Sequence, residues 1–232
     1  MKAKAFNILL LVLFLPTAQC SDRQKDYTRL DVSTVASDEG DTLMNRKPAV
    51  AGTFYPGSRD ALMRQIAGLF KDATPHKKLD HVVALISPHA GYVYSGQVAA
   101  SAYNQLSPDQ KYDNVFIISA SHYVGFGGAA MYCDGNFTTP LGIARVNIPL
   151  SRKIIQENPT LFVSYPDVHS PENCIEVQIP FLQYLYKDEL QIIPILLGTQ
   201  KPATIQKIAE ALKPYFKASN LFVISTDFSH YP

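Results

Sequence analysis

Residues 82–96 read VVALISPHAGYVYSG, an apolar run that passes through a serine into a loop with a histidine. Five consecutive apolar residues, Val82 to Ile86, are typical of a strand that is buried on both faces, as in a parallel sheet. Gly91 permits a tight turn soon after His89. The segment therefore predicts a buried strand whose carboxyl end carries an imidazole.

Two later apolar runs end in a related way. Val115 to Ile118 leads into His122, and Leu221 to Ile224 leads into Asp227 and His230. Each of the three runs exits through a serine, and three of the chain's six histidines follow these serines. Because the carboxyl ends of parallel strands lie along one edge of a sheet, where ligand crevices form, we expect the three imidazoles and Asp227 to converge.

The stretches between these runs have helical or β patterns. Helices are predicted at 58–71, 96–106, 151–158, 172–186 and 204–216, β-structure at 129–148, and a further buried strand at 191–197. Pro180 is expected to kink the fourth helix or to mark a boundary in it. Buried strands that alternate with helices predict an α/β domain with a mostly parallel β-sheet flanked by helices.

The last predicted strand, Leu221 to Ile224, ends eight residues before Pro232. A central parallel strand needs a helix or another strand to cover it. We therefore expect the sequence to be C-terminally truncated within its domain. The alternative is that this segment is an edge strand and that the chain is complete.

The N-terminal segment is typical of an export signal. Residues 1–20, MKAKAFNILLLVLFLPTAQC, combine a basic start with an apolar run that is short for a membrane span. Cys20 is placed as in a lipoprotein signal peptide, and a secreted protein or an uncleaved anchor are the alternatives. Residues 21–45 predict a flexible linker, which leaves 46–232 as the α/β domain. The expected location is a bacterial cell envelope, with membrane contact only through a lipid anchor on Cys20.

Composition and missing motifs exclude several classes of protein. Lys plus Arg is 21 and Asp plus Glu is 20, a net charge of +1 that argues against a nucleic-acid binder. Three cysteines without a C-x-x-C pair exclude a disulfide framework and a zinc ribbon. The sequence has no G-x-S-x-G elbow for a serine hydrolase, and Cys174, inside a helical pattern, is a weak candidate nucleophile.

Histidine and aspartate at one sheet edge point to metal chemistry. Neutral imidazole is a common metal ligand, and two histidines with one carboxylate leave open positions on a metal such as Fe(II). A third histidine could act as general acid or base. The alternative is that each histidine only hydrogen-bonds the backbone of its loop, and His169 in particular is expected in a surface loop.

The segment after His89 allows two further predictions. Gly96 is expected to begin a helix, whose N–H groups could hold an anion or an oxygen ligand. Tyr92 and Tyr94 could line a pocket or pack against the sheet edge, and the sequence favours neither.

Five blocks of the sequence, taken together, resemble the Memo family, also called AmmeMemoRadiSam system protein B. The blocks are RKPAVAGTFYP at 46–56, SPHAGY at 87–92, SH at 121–122, ENCIEVQIPF at 172–181 and STDFSH at 225–230. The resemblance covers residues 46–232. It implies a fold similar to that of the LigB-type class III extradiol dioxygenases, which open catechol rings with non-haem Fe(II).

The resemblance also implies roles for individual residues. His89 and His122 match two metal-ligand histidines of the family. His230 matches an acid/base histidine, and Asp227 lines the same pocket. The implied cofactor is a divalent metal such as Fe(II). The family's third ligand, a cysteine in a C-terminal segment, has no match here, and Asn173-Cys174 stands where the family usually has His-Ser.

The resemblance leaves two functions open. The first is an accessory or binding protein that keeps a dioxygenase-like metal pocket and binds a small molecule without turnover. The second is an active non-haem Fe(II)-dependent extradiol dioxygenase on a small aromatic substrate. The family also implies a radical-SAM enzyme and an AMMECR-type protein as partners. That implication conflicts with an exported lipoprotein, because an iron–sulfur partner of this kind is cytosolic.

Overall fold

The structure is a computed structural model that describes residues 43–77, 79, 81–187 and 190–228. The predicted signal peptide with Cys20, most of the predicted linker, and His230 lie outside the described residues. Among the helices that are described, none has both the length and the apolar character needed to cross a membrane.

The described chain forms eight strands and six α-helices. In chain order they are α1 (Arg59–Lys71), β1 (Ala84–Ser87), α2 (Tyr92–Tyr103), β2 (Asn114–Ala120), β3 (Ala129–Met131), β4 (Phe137–Thr139), β5 (Gly142–Val146), α3 (Ile148–Glu157), β6 (Phe162–Ser164), α4 (Pro166–His169), α5 (Ile179–Tyr186), β7 (Gln191–Leu197), α6 (Pro202–Leu212) and β8 (Asn220–Ser225). One turn of 3₁₀-helix precedes α5 at Glu176–Gln178, and another follows α6 at Lys213–Tyr215.

These strands form one sheet that is mostly parallel. The order along its main path is β1-β8-β2-β7-β3-β6, and the first four of these strands run parallel to one another. β3 is antiparallel to β7, while β5 is parallel to β7 and forms a hairpin with β4. The predicted fold class, a mostly parallel sheet flanked by helices, is confirmed. The edge-strand alternative for 221–224 is wrong, because β8 pairs with β1 on one side and β2 on the other.

The central strands are continuously apolar because helices cover both faces of the sheet. In β2, Val115 and Ile117 belong to a core that includes residues of α1, α2 and α5. Phe116 and Ile118 belong to a second core on the other face, with residues of α3 and α6. Full burial of a side chain of this size contributes about 1.5–3 kcal/mol. The carboxyl ends of these strands are therefore held in place by packing, and so are the starts of the loops that follow them.

The helix after His89 begins earlier than predicted. α2 starts at Tyr92, so Gly96 lies inside the helix, and the prediction that Gly96 begins it is wrong. A Cβ atom at Gly96 would lie only 2.9 Å from a methyl carbon of Leu69 on α1. The glycine therefore permits a close approach of two helices, and its N–H group is not among the free N–H groups at the start of the helix.

The predicted helix at 172–186 is divided into three parts. Residues 172–175 form a loop, one 3₁₀ turn follows, and α5 begins at Ile179. Pro180 lies in the first turn of α5, where a missing N–H removes no helical hydrogen bond. The boundary expected at Pro180 is confirmed to within one residue, and the loop before it carries Glu172 to the carboxyl edge of the sheet.

Candidate functional site

Neighbouring strands bring two of the three predicted histidines together. β1 lies beside β8, with Ser87 opposite Ser225, and β8 lies beside β2. The imidazole rings of His89 and His122 are 5.0 Å apart between centroids and nearly perpendicular, at 89°. The convergence expected from the strand ends is confirmed for these two rings, whereas His230 lies outside the described residues.

Hydrogen bonds fix the tautomer of His89, which is buried. Its Nδ1 lies 3.0 Å from the Ser225 hydroxyl oxygen. That hydroxyl donates its single proton to the Cys174 carbonyl at 2.6 Å and accepts a hydrogen bond from the Gln178 amide at 2.9 Å. Nδ1 of His89 must therefore donate to Ser225, which places the lone pair of the neutral ring on Nε2.

The carboxylate of Asp227 lies beside the His89 ring. Its Oδ1 accepts hydrogen bonds from the backbone N–H groups of His89, at 2.5 Å, and Ala90, at 3.2 Å. Its Oδ2 lies 3.8 Å from Nε2 of His89. The N–H groups that precede α2 thus bind a carboxylate of the protein itself, and Asp227 presents its second oxygen to the lone-pair side of the imidazole.

Glu172 orients the ring of His122 through its Nδ1 atom, as Ser225 does for His89. Its Oε2 accepts a hydrogen bond from Nδ1 of His122 at 2.8 Å, and its Oε1 accepts from the His122 backbone N–H at 2.6 Å and the Ser121 hydroxyl at 3.0 Å. The neutral His122 ring therefore also carries its lone pair on Nε2. The sequence alone indicates no role for Glu172, although this residue begins one of the five blocks, because its partner His122 lies on a distant loop.

The His122–Glu172 pair changes the protonation of both partners. The hydrogen bond to Glu172 raises the pKa of His122 above its ordinary value, against the opposing effect of burial. Burial alone would raise the pKa of Glu172, but the hydrogen bonds from His122 and Ser121 outweigh it and lower this pKa. Glu172 is therefore an anion at neutral pH, and protons compete with a metal ion for His122.

His122 and two neighbouring side chains could together hold a metal ion. His122, Glu172 and Cys174 each offer a ligand atom, and these atoms lie within 4.8 Å of one another. Cys174 is the weakest of them, because burial raises the pKa of its thiol far above the ordinary value and metals bind the thiolate. The same neutral, buried thiol is unsuited to act as a nucleophile. Glu172 already accepts hydrogen bonds at both oxygens, which suits a residue that orients a ligand histidine.

Arg46, the first residue of the block at 46–56, anchors the loop that carries Glu172. Its Nε donates to the His169 carbonyl at 2.8 Å, and another guanidinium nitrogen donates to the Glu172 carbonyl at 2.5 Å. Its third nitrogen forms a buried ion pair with Glu176 at 2.7 Å. The N-terminal block therefore contributes to the site through the position of the loop and not through a ligand atom.

His169 is buried, so the expectation that it lies in a surface loop is wrong. Only 1% of its surface is exposed, and its Nε2 donates to the Ala130 carbonyl at 3.2 Å. Its Nδ1 has no hydrogen-bond partner among the described residues. Burial lowers the pKa of His169 to about 3, so the ring is neutral where it packs against Tyr132 and Phe137.

Three residues near His89 have different environments. Tyr92 is buried in the core, its hydroxyl donates to the Val177 carbonyl at 2.7 Å, and its ring packs against those of Tyr55 and Phe181. Tyr94 is 87% exposed and lies on the outer face of α2. Asn173 donates from its side-chain amide to the His89 carbonyl at 3.0 Å, and it therefore positions the loop that carries this histidine.

The donor set fits a divalent metal ion. Two imidazoles with protonated Nδ1 atoms place both Nε2 lone pairs at one sheet edge, and each Nδ1 is hydrogen-bonded by a residue that orients the ring. Imidazole nitrogen with carboxylate oxygen is the ligand combination of zinc and of non-haem Fe(II) sites.

Comparison with known proteins identifies similar sequences over the whole α/β domain. The profile of a family described as Memo-like protein matches residues 46–232. A MEMO1 family protein of Thermotoga maritima is 40% identical over 205 residues, which covers 81% of this chain and 71% of that protein. A MEMO1 family protein of Thermoplasma volcanium is 37% identical over 196 residues, which covers 81% of this chain and 68% of that protein.

Proposed function

The chain belongs to the Memo-like protein family, and on that basis we propose that it is a metal-binding protein whose ion is held by His89 and His122. Its mixed α/β structure, with a mostly parallel sheet, is the LigB-like fold of that family. The observation that carries the proposal is the pair of rings 5.0 Å apart, each oriented by a hydrogen bond at its Nδ1 atom.

The residues around the two rings have separate tasks. Ser225 and Glu172 keep a proton on each Nδ1 and fix the ring planes. Asn173 and Gln178 hold the loop of His89, by bonds to the carbonyls of His89 and Pro88. A divalent metal bound there would supply a Lewis acid, and Fe(II) would also supply a redox centre.

We propose an accessory or binding role over enzymatic turnover. Asn173 stands where the family usually has histidine, and its amide donates to the backbone of His89. An amide cannot act as general acid or base. This position therefore supports the binding site but offers no group for proton transfer.

A dioxygenase on a small aromatic substrate is the second candidate. Its support is the carboxylate of Asp227 beside the two imidazoles, because two histidines and one carboxylate leave open positions on Fe(II). Oxygen uptake by the Fe(II)-loaded chain with a set of catechols separates the two functions. The accessory role predicts no uptake above that of free Fe(II). A rate that disappears in His89→Ala would establish the dioxygenase.

The metal site is tested by the stoichiometry and affinity of metal binding. Equilibrium dialysis with Co²⁺ should give one ion per chain at this site. His89→Ala and His122→Ala should each weaken binding by about 100-fold or more, since residues that only orient a ligand already account for about 10–100-fold. His81→Ala is the matched control, because His81 is exposed and precedes β1 at its opposite end. Equal affinity in all three variants would contradict the site.

We also propose a cellular location and protein partners for this chain, supported by its sequence and its family alone. We propose export with a lipid anchor on Cys20, which predicts that the chain fractionates with membranes and that Cys20→Ala releases it. A radical-SAM enzyme and an AMMECR-type protein are the proposed partners by family resemblance. Recovery of the chain in the cytosol with those proteins would favour the partners and contradict export.

A further inference from the structure

We propose that residues 30–42 of this chain, which directly precede the first described residue, dock into a groove at the amino edge of the sheet. The groove has a volume of about 520 Å³ and is formed by the β4–β5 hairpin, the start of α3 and the start of β7. The inference does not rest on the proposed metal site. The lining of this amino-edge groove includes Leu43, Leu141, Ile143, Arg145, Val146 and Gln191.

The amino-edge groove lies at the opposite edge of the sheet from the histidine pair. Arg145 of β5 and Gln191 of β7 both line it, and they are neighbours in the parallel pairing of these strands. Gln191 is the first residue of β7, whereas His89 and His122 follow the carboxyl ends of β1 and β2. An occupant of the groove therefore leaves the two imidazoles uncovered.

The groove presents apolar surface to solvent. Leu43 and Ile143 line it and are 52% and 48% exposed, although both are large apolar residues. The lining also contains Leu141 and Val146, which belong to the hydrophobic core. Exposed apolar surface of this kind is stabilised when another apolar segment covers it. The apolar lining therefore favours an occupant with aliphatic side chains.

Charge favours an acidic occupant. Among the described residues that line the groove, Arg145 is the one charged residue, and it is exposed. A second cation lies beside the groove, because the guanidinium of Arg59 donates to the Leu141 carbonyl at 2.6 Å. Carboxylates in the occupant would therefore be attracted to this edge of the sheet.

The segment before Leu43 has the composition that this groove requires. Residues 30–42 read LDVSTVASDEGDT, with four acidic residues and no lysine or arginine. Three of the acids lie at 38–41, close to Leu43, where they can pair with the cations of the groove. The aliphatic side chains that can cover the apolar lining are those of Leu30, Val32 and Val35.

The chain itself delivers this segment to the groove. The N–H of Met44 donates to the Asp134 carbonyl at 2.9 Å, and the N–H of Arg46 donates to the Asn136 carbonyl at 2.7 Å. The residue before them, Leu43, lies in the wall of the groove. A segment joined so closely to its site has an effective concentration in the millimolar range, on the order of 1 mM or more. A separate partner would have to bind strongly to displace it.

Docking would also orient the domain on a membrane. On the proposed lipid anchor at Cys20, it leaves only residues 21–29 as free tether and turns the amino edge of the sheet toward the membrane. The edge that carries the histidine pair then faces away from the membrane.

The test is paramagnetic relaxation enhancement in the full chain. A nitroxide is attached at Ser37→Cys in a Cys20→Ala background, since Cys133 and Cys174 are buried. The methyl signals of Leu141, Ile143 and Val146 should lose the most intensity. Methyl signals at the carboxyl edge, such as that of Ala120, should keep theirs. Broadening without preference for the groove would overturn the inference, whether or not the chain binds metal.

Two further samples sharpen the result. Arg145→Glu should reduce the broadening at the groove by about twofold or more, because the segment's acids are then repelled. Lys207→Glu is the control, since Lys207 is exposed on α6 and should leave the broadening unchanged. Equal broadening in Arg145→Glu and the unaltered groove would contradict the charge pairing on which docking depends.

The last sample separates this segment from a second copy of the chain. An isotope-labelled chain without nitroxide is mixed with an unlabelled chain that carries the nitroxide at Ser37→Cys. Docking within one chain predicts no broadening in this mixture. Broadening of the groove signals as strong as in the first sample would show that a neighbouring chain occupies the groove, and would overturn the inference.

Discussion

Two polar clusters lie close together at the carboxyl edge of the sheet, and they differ in how their hydrogen bonds are satisfied. In the Arg46–Glu176 cluster, both oxygens of Glu176 accept two hydrogen bonds each, from the Arg46 guanidinium, the Tyr55 hydroxyl and two backbone N–H groups. In the histidine cluster, hydrogen bonds at the Nδ1 atoms of His89 and His122 orient both rings, and the neutral rings carry their lone pairs on Nε2.

This difference indicates that the Arg46–Glu176 cluster is structural and that the histidine cluster is suited to binding. A buried charge pair with every polar atom satisfied stabilises one arrangement of the chain and has nothing to offer a ligand. Imidazoles that are oriented through one nitrogen present the other as a ligand atom. The two clusters are connected, because Arg46 binds the carbonyl of Glu172 and Glu172 binds His122.

The largest effect that we expect from a mutation is a loss of stability on removal of Arg46 from the Arg46–Glu176 cluster. Arg46→Ala should lower the free energy of unfolding by about 3–5 kcal/mol, because it leaves the Glu176 carboxylate buried without its counter-ion. Urea denaturation of the metal-free chain measures this change. Lys47→Ala, an exposed neighbour, should change stability by no more than about 0.5 kcal/mol. A similar small effect for Arg46→Ala would mean that the buried pair does not hold the loop.

A second effect of comparable size depends on pH. The pKa of His169 is lowered to about 3, so the unfolded chain binds a proton below about pH 6.5 that the folded chain does not. Stability contributed by the neutral ring is present above pH 6.5 and is lost as the pH falls toward 3, by about 3 kcal/mol at pH 4. His169→Gln keeps a donor for the Ala130 carbonyl without this titration. Its unfolding free energy should therefore depend less steeply on pH between 6.5 and 4, and equal slopes would contradict the assignment.

A smaller effect, on metal affinity, is expected at Glu172, which connects the two clusters. Glu172→Gln should weaken metal binding by about 10–100-fold, because it removes the carboxylate that orients His122. It should also lower the pKa of His122, which Glu172 raises. In the metal-free chain, the stability that this raised pKa provides is present below pH 6.5 and is lost as the pH rises through the pKa of folded His122. The variant should lack this change, and unchanged metal affinity would show that Glu172 does not act through His122.

The sheet and its polar edge could be predicted because their signals are local. Continuous apolar runs mark strands that are buried on both faces, and serine-to-histidine exits repeat at three of them. Helix boundaries were less accurate. The sequence predicts a helix start at Gly96, whereas this residue lies within α2, where Leu69 of α1 leaves no space for a side chain.

The supporting residues of the site could not be predicted because their partners are distant in sequence. Glu172 lies fifty residues from His122, and Arg46 lies 126 residues from Glu172. Nothing in the neighbours of His169 indicates that Ala130 and two aromatic rings bury it. Such residues are recognised only when the fold brings their loops together.

The central claim, that His89 and His122 share one ion through Nε2, is tested most directly by ¹⁵N NMR of the imidazole rings during a Zn²⁺ titration. The account predicts that both neutral rings carry their proton on Nδ1 before metal is added. It further predicts that both Nε2 resonances shift together and saturate at one Zn²⁺ per chain. Protons on Nε2 in the metal-free rings, or a Zn²⁺ titration that moves only one ring, would contradict it.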